Sequence, residues 1–224
     1  MDPNTLEAIR QGAILYIILA CSIVIHEWAH ALTAHKLGDR LPQSEGRVTL
    51  NPLAHMELIG TVIFPAVSIF LPILMNGDLG FFIFGWGRPV NTSPAKSATG
   101  IRNELIVRAA GPIVNLLGAL VIATTGGLIS HIRLDLSTLC QLAIYINIVL
   151  FSFNIIPIPP LDGSRFLKHA INMSDHAYAK LSNYGFIILI AAMNIPIFRT
   201  IFGGFVHTLV EAMNYVMVWS FKIL

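Results

Sequence analysis

The sequence predicts an all-α polytopic membrane protein with about six transmembrane helices and a short extended or re-entrant segment near 79–90. Composition is the first of two observations behind this. Of 224 residues, 55% are hydrophobic and only 12% are charged, against roughly 25% charged in an ordinary soluble domain. A mean hydropathy of +0.72 also excludes a disordered chain, which needs low hydrophobicity and high net charge. The second observation is how the apolar residues are grouped. Segments fall at about 12–36, 58–75, 79–87, 105–130, 136–157, 182–198 and 203–224. All but the third approach the roughly 20 residues needed to cross about 30 Å of hydrocarbon. Six spans and short loops use nearly all of the chain, so 1–224 reads as a single transmembrane domain with no soluble second domain.

Taken in order, the first span follows a stretch that carries Asp2 and Glu7. It lacks the basic start and small-residue cleavage site of a secretory signal and is expected to be retained. The segments 12–36, 58–75, 105–130 and 136–157 form the expected core, and 182–198 and 203–224 are additional C-terminal helices. The short piece Leu79-Gly80-Phe81-Phe82-Ile83-Phe84-Gly85-Trp86-Gly87 is rich in aromatics and glycine, which favours a strand or hairpin over a helix. Extended backbone at membrane depth is tolerated only where protein or a wet cavity covers its amides, so this piece should line something. Cys21 and Cys140 both lie in apolar runs, where a thiol behaves as a small hydrophobe and no disulfide framework is implied.

The sizeable loops are 37–57, 88–104 and 158–181. If the first span ends on one side and the aromatic piece returns the chain to it, that side holds Lys36, Arg40, Arg47, Arg88, Lys96, Arg102, Arg108, Arg165, Lys168, Lys180 and Lys222. The other side holds Arg10, Arg133 and Arg199. This asymmetry assigns the loop-rich side to the cytoplasm of a cell (inner) membrane. The basic residues are spread along the chain, with a formal net charge of +2, so no nucleic-acid partner is expected. The expected surroundings are the lipid bilayer and other transmembrane proteins.

Within the first span the sequence reads Ile25-His26-Glu27-Trp28-Ala29-His30. Residues four apart on a helix are separated by about 400° of rotation, so His26 and His30 share one face, one turn apart. Two imidazoles so placed can hold one ion, and a catalytic zinc needs a third protein ligand and an open position. Glu27, on the flank of that face, can take the proton of a metal-activated water. Three ionisable groups within five residues of a span are costly without a function.

Acids near membrane depth are Glu57, Asp78, Glu104, Asp162 and Glu211. Two compete as third ligand. Asp162 follows Pro157, Pro159 and Pro160, which end a helix and remove amide donors, at the same membrane side as the histidines. Glu211 lies mid-way along the last segment, four residues after His207; the pair could form a second metal-like face, but mutual satisfaction by hydrogen bonding is the favoured expectation.

Three stretches carry a resemblance: His26-Glu27-Trp28-Ala29-His30, Ala110-Gly111-Pro112-Ile113-Val114-Asn115, and Asn154 through Leu161-Asp162-Gly163. In this order they resemble the signatures of the site-2 protease family of intramembrane zinc metalloproteases (peptidase M50). Leu50-Asn51-Pro52-Leu53-Ala54-His55 and Gly85-Trp86-Gly87-Arg88-Pro89-Val90 are similar to its compact prokaryotic branch, which lacks PDZ and CBS domains. Ser164 stands where many members carry a second Gly. The resemblance implies a three-helix core, one Zn2+ per chain held by His26, His30 and Asp162, and Glu27 as catalytic base. It also implies a transmembrane protein as substrate, cut in or near its membrane helix.

Asn115 and Asn154 are candidates for binding an oxyanion or a substrate backbone. Interhelical hydrogen bonding is the alternative for both, and support of the Asp162 turn a further one for Asn154. His55 is a candidate supporting or lid residue. The rival reading of the whole is a non-hydrolytic membrane metal-binding protein or metal transporter. That reading has no need of Glu27 beside the histidines, and a transport pathway would spread ionisable groups along several spans.

Overall fold

In a computed structural model of the chain, residues 2–75, 85–92, 100–129 and 135–223 are described. They form helices, with no strand among the described residues. Positions 79–84 of the aromatic piece lie outside them, while 85–90 are irregular backbone, neither helix nor strand. The contacts divide the chain into two compact units, Met1–Ser93 and Pro94–Leu224.

The first unit is organised on α1, Pro3–Lys36. Pro3 begins it, where a missing amide donor costs nothing. It ends in a Schellman motif: Gly38 takes φ +93, its amide donates to the His35 carbonyl at 2.9 Å, and the Asp39 amide donates to Ala34 at 3.0 Å. Only glycine adopts such a φ without strain. Two short helices follow, α2 (Leu41–Ser44) and α3 (Pro52–His55), the second capped by the Asn51 side chain on the Leu53 amide. The segment read as a span at 58–75 opens as a π-helical turn over Leu58–Ile63 and continues as α4, Phe64–Leu74. Glu57 accepts the Gly60 amide at 2.5 Å to start that turn. α4 packs on α1 where Gly12 meets Ile69, Phe70 and Ile73.

The second unit holds α5 (Ile101–Ile129), α6 (Asp135–Asn154), α7 (Gly163–Ala170), α8 (Asp175–Asn194) and α9 (Pro196–Ile223). Its core is Ala119 and Ala123 of α5, Ile144 and Ile148 of α6, and Val206 and Met217 of α9. Small residues let the helices approach, as at Gly127, where a side chain would run into Ser220 and the Met217 carbonyl.

Among the described residues four helices are long and apolar enough to cross a membrane: Pro3–Lys36, Ile101–Ile129, Leu136–Asn154 and Pro196–Lys222. The expected count of six is thus not reproduced. Leu58–Leu74 is shorter, and the apolar segments at 182–198 and 203–224 are cut differently. Ile195 is extended at φ -79, ψ 120, as the residue before a proline prefers, and Pro196 opens α9. α8 starts earlier than its apolar part, at the Ser174 cap on the Ala177 amide.

Candidate metal centre

α1 brings the histidine pair together. His26 and His30 are both buried, with their Nε2 atoms 3.1 Å apart and their rings edge to face, centroids 4.7 Å apart. Both Nε2 atoms are therefore within reach of a single ion. With zinc–nitrogen bonds of about 2.0–2.1 Å, a 3.1 Å separation subtends about 98° at an ion, close to the tetrahedral angle. The pair fits a zinc ion as it stands.

Glu27 is half-buried on the flank of that face, and irregular backbone runs against it. A side chain at Gly87 would collide with Glu27 Cγ at 2.5 Å, so glycine is required by the close approach. The strip 86–88 is fixed by backbone pairing. The Trp86 amide donates to the Gly60 carbonyl at 3.0 Å and the Arg88 amide to His55 at 2.7 Å. Thr61 Oγ1 donates to the Trp86 carbonyl at 2.7 Å. Arg47, only 2% exposed, ties the Ala54 and Arg88 carbonyls together. Burial pushes its pKa down, and the Glu27 carboxylate opposes this by favouring the charged form. Of the short segment near 79–90, only 85–90 lie within the described residues; there the backbone at Gly87 lies against the Glu27 side chain.

In the second unit Asp162 is buried at the entry to α7. α6 stops at Asn154, and a run of tight turns follows, in which Ile158 donates to Ile156 at 2.9 Å and Leu161 to Ile158 at 3.0 Å. Gly163 lies so close to the Ile155 carbonyl that any side chain would strike it. Ser164 Oγ lies 2.6 Å from the Leu161 carbonyl and 2.7 Å from the Tyr178 hydroxyl, pinning the turn to α8. Arg108 of α5 places Nη1 3.6 Å from Asp162 Oδ1. Asp162, Arg108 and Asn154 line a cavity of about 260 Å³ whose remaining walls include Pro112, Ile113, Phe151 and Phe166.

The three further candidates are placed as follows. Asn115, fully buried, donates to Asn147 Oδ1 at 3.0 Å, joining α5 to α6. Asn154 donates to the Leu150 carbonyl one turn back at 2.9 Å and faces the Asp162 cavity. His55 is buried, its Nε2 donating to the Thr49 carbonyl at 2.7 Å. Burial lowers its pKa more than the Thr49 bond raises it, and the Arg47 charge lowers it further. His207 and Glu211 form no hydrogen bond with each other or with any other described residue, contrary to expectation. Gly87, Arg47, Arg108, Asn147 and Tyr178 were not singled out from the sequence. Each acts across a separation that spacing does not encode.

The sequence profile described as "Peptidase family M50" matches residues 122–194. A Bacillus subtilis (strain 168) protein named "Putative zinc metalloprotease YwhC" is 32% identical over 192 residues, covering 82% of this chain and 81% of the relative. "Putative zinc metalloprotease Rip2" of Mycolicibacterium smegmatis is 27% identical over 198 residues, covering 86% of this chain and 72% of its own. Its namesake in Mycobacterium tuberculosis (strain H37Rv) is 26% identical over 213 residues, covering 93% and 78%. No solved structure matches. With a relative of this identity aligned over most of both chains, the protein belongs to peptidase family M50, the site-2 proteases, and is a multi-pass membrane zinc metalloprotease.

Proposed function

We propose that the enzyme hydrolyses a peptide bond within, or at the edge of, a transmembrane helix of another protein, with His26, His30 and Asp162 holding one zinc ion and Glu27 acting as general base. The observation that carries this is the buried Nε2 pair, 3.1 Å apart on a helix long and apolar enough to cross a membrane, with a carboxylate next in sequence. In this reading 1–224 works as one transmembrane metalloprotease domain. Zinc, when bound, polarises the scissile carbonyl and brings the pKa of a water toward neutrality.

The chain's own residues do the rest. Glu27 takes a proton from the attacking water and returns it to the leaving amine. The backbone of Gly87 confines the Glu27 side chain to one side, so the carboxylate is held before substrate arrives. Arg108, with Nη1 3.6 Å from Asp162 Oδ1, faces the carboxylate proposed to ligate. Asn115 and Asn154 are proposed to hold the oxyanion or the substrate backbone, and His55 to support the 86–88 strip through its carbonyl. A substrate helix must unwind locally before its amides can react, so helix-weakening residues are expected near the cut. The charge asymmetry of the loops supports a site open to the cytoplasmic side of a cell membrane.

The test is Glu27→Gln in the purified full chain, with zinc content and cleavage of a model transmembrane substrate measured together. Cleavage is expected to fall at least about 100-fold with zinc retained; undiminished cleavage would refute the general-base role. For the third ligand, Asp162→Ala is expected to lower zinc content and Glu211→Ala to leave it unchanged. The reverse pair of results moves the site to α9.

A further inference from the structure

α9 carries a feature that its packing does not use and that lies outside the proposed zinc site. His207 and Glu211 are exposed near the middle of a helix long and apolar enough to cross a membrane, and neither bonds to any described residue. A carboxylate left there against lipid is costly, and such groups ordinarily face a protein partner or a wet cavity. Glycine usage points the same way. Gly126 and Gly127 on α5 sit where a side chain would strike Cys140 or Ser220, whereas a side chain at Gly203 or Gly204 would meet nothing within 4 Å. Two adjacent glycines weaken a helix, and the chain's own packing gives no reason for them. Gly204, Thr208, Glu211 and Tyr215 fall within about 60° of one another around the helix, with His207 on the flank. All five are exposed.

We propose that this face of α9 is the contact with α9 of a second copy of the chain, closed by His207–Glu211 pairs between the copies. Self-complementarity selects this occupant, because one face presents both a carboxylate and the imidazole to pair with it. Two copies inserted in the same sense run their α9 helices parallel. A two-fold axis between them then sets each His207 within one turn of the partner's Glu211, and the contact is made twice. Gly204 lets the backbones approach, as small residues do at membrane helix crossings.

The test uses the full chain reconstituted in phosphatidylcholine vesicles, with copies per particle counted by single-molecule photobleaching as lipid is added. Wild-type protein is expected to pass from dimer to monomer on dilution. Gly204→Leu and Glu211→Leu should each raise the dissociation constant about tenfold or more, because each removes a packing or polar contact of the order seen between membrane helices. Zinc content should be unchanged, which shows that the fold survives. The exchange His207→Glu with Glu211→His should dimerise better than either single change. Wild-type protein that is monomeric at every lipid ratio, or Gly204→Leu that dimerises as wild type does, overturns the proposal and leaves the face to a different membrane protein. Glu27→Gln is expected to dimerise normally, so the association and the proteolytic reading fail separately.

Discussion

The histidine turn of α1 and the proline-rich turn that ends at Asp162 set the positions of their side chains by opposite means. His26 and His30 converge because any regular helix stacks residues four apart on one face, and no distant contact is needed to bring their Nε2 atoms to 3.1 Å. Asp162 sits on backbone with no regular repeat. Its place depends on Gly163 fitting under the Ile155 carbonyl, on Ser164 meeting Tyr178 and on Arg108 facing the carboxylate. A helix-borne site should therefore tolerate changes around it but not a change of register. A proposed ligand carried on a turn, as Asp162 is, should be sensitive to single substitutions in its neighbours.

The largest expected effect breaks the register. An alanine inserted between Ala29 and His30 makes the histidines five apart, about 140° around the helix instead of about 40°. Zinc affinity, measured by competition with a chromogenic chelator, is expected to fall well over 100-fold, more than the about 10–100-fold typical of losing a supporting partner. Retained affinity would mean that the pair is not the zinc site. On the other side of the comparison, Gly163→Ala leaves every proposed ligand in the sequence but drives a methyl into the Ile155 and Ile156 backbone. Such overpacking costs about 1–3 kcal/mol, and the turn must shift Asp162 to relieve it. Thermal stability should drop and zinc affinity fall about 10–100-fold. Stability lost with affinity intact would show that Asp162 is not held by this contact.

The same contrast explains what was legible in the sequence. Spacing alone puts His26 and His30 on one face, where their Nε2 atoms lie 3.1 Å apart, since on a helix sequence distance is angular distance. Asp162 was legible only as one of two acids, because a turn of three prolines says where a helix ends and not where the chain goes next. Contacts such as Arg108 with Asp162, Asn115 with Asn147 and Gly87 with Glu27 join residues tens of positions apart and leave no local pattern. The membrane helices were legible as apolar runs, but their ends were not. The polar start of α8 at Asp175 and the helix opened by Pro196 carry capping and φ preferences that hydropathy ignores.

A third prediction sharpens the helix side. Gly87→Ala leaves α1 and the imidazoles untouched but places a methyl against Glu27 Cγ. Displacement of a catalytic group by about 1 Å can cost about 100-fold in rate, so kcat for a transmembrane substrate is expected to fall by about that factor while zinc content stays at the wild-type level. Zinc lost along with activity would instead place the strip 86–88 in support of the histidines.

The smallest expected effect concerns one proton in the strap that carries that strip. His55 is buried in neutral form, with Nε2–H donated to Thr49 and its pKa lowered chiefly by burial, against the raising effect of the Thr49 bond and with the help of the Arg47 charge. Its ordinary value is about 6.5. A folded pKa below that value means the unfolded chain binds the extra proton first. The stabilisation is then complete above about pH 6.5 and is lost as pH falls from there toward the folded pKa. His55→Gln keeps a donor for the Thr49 carbonyl and removes the titration. Melting temperatures of wild type and His55→Gln between pH 7.5 and 5.5 should therefore diverge, with the wild type falling more steeply in acid. Parallel profiles would show that the imidazole is already protonated, or solvated, in the folded protein. The comparison reads the 86–88 strip alone, because neither the imidazole pair of α1 nor Asp162 is altered by the substitution.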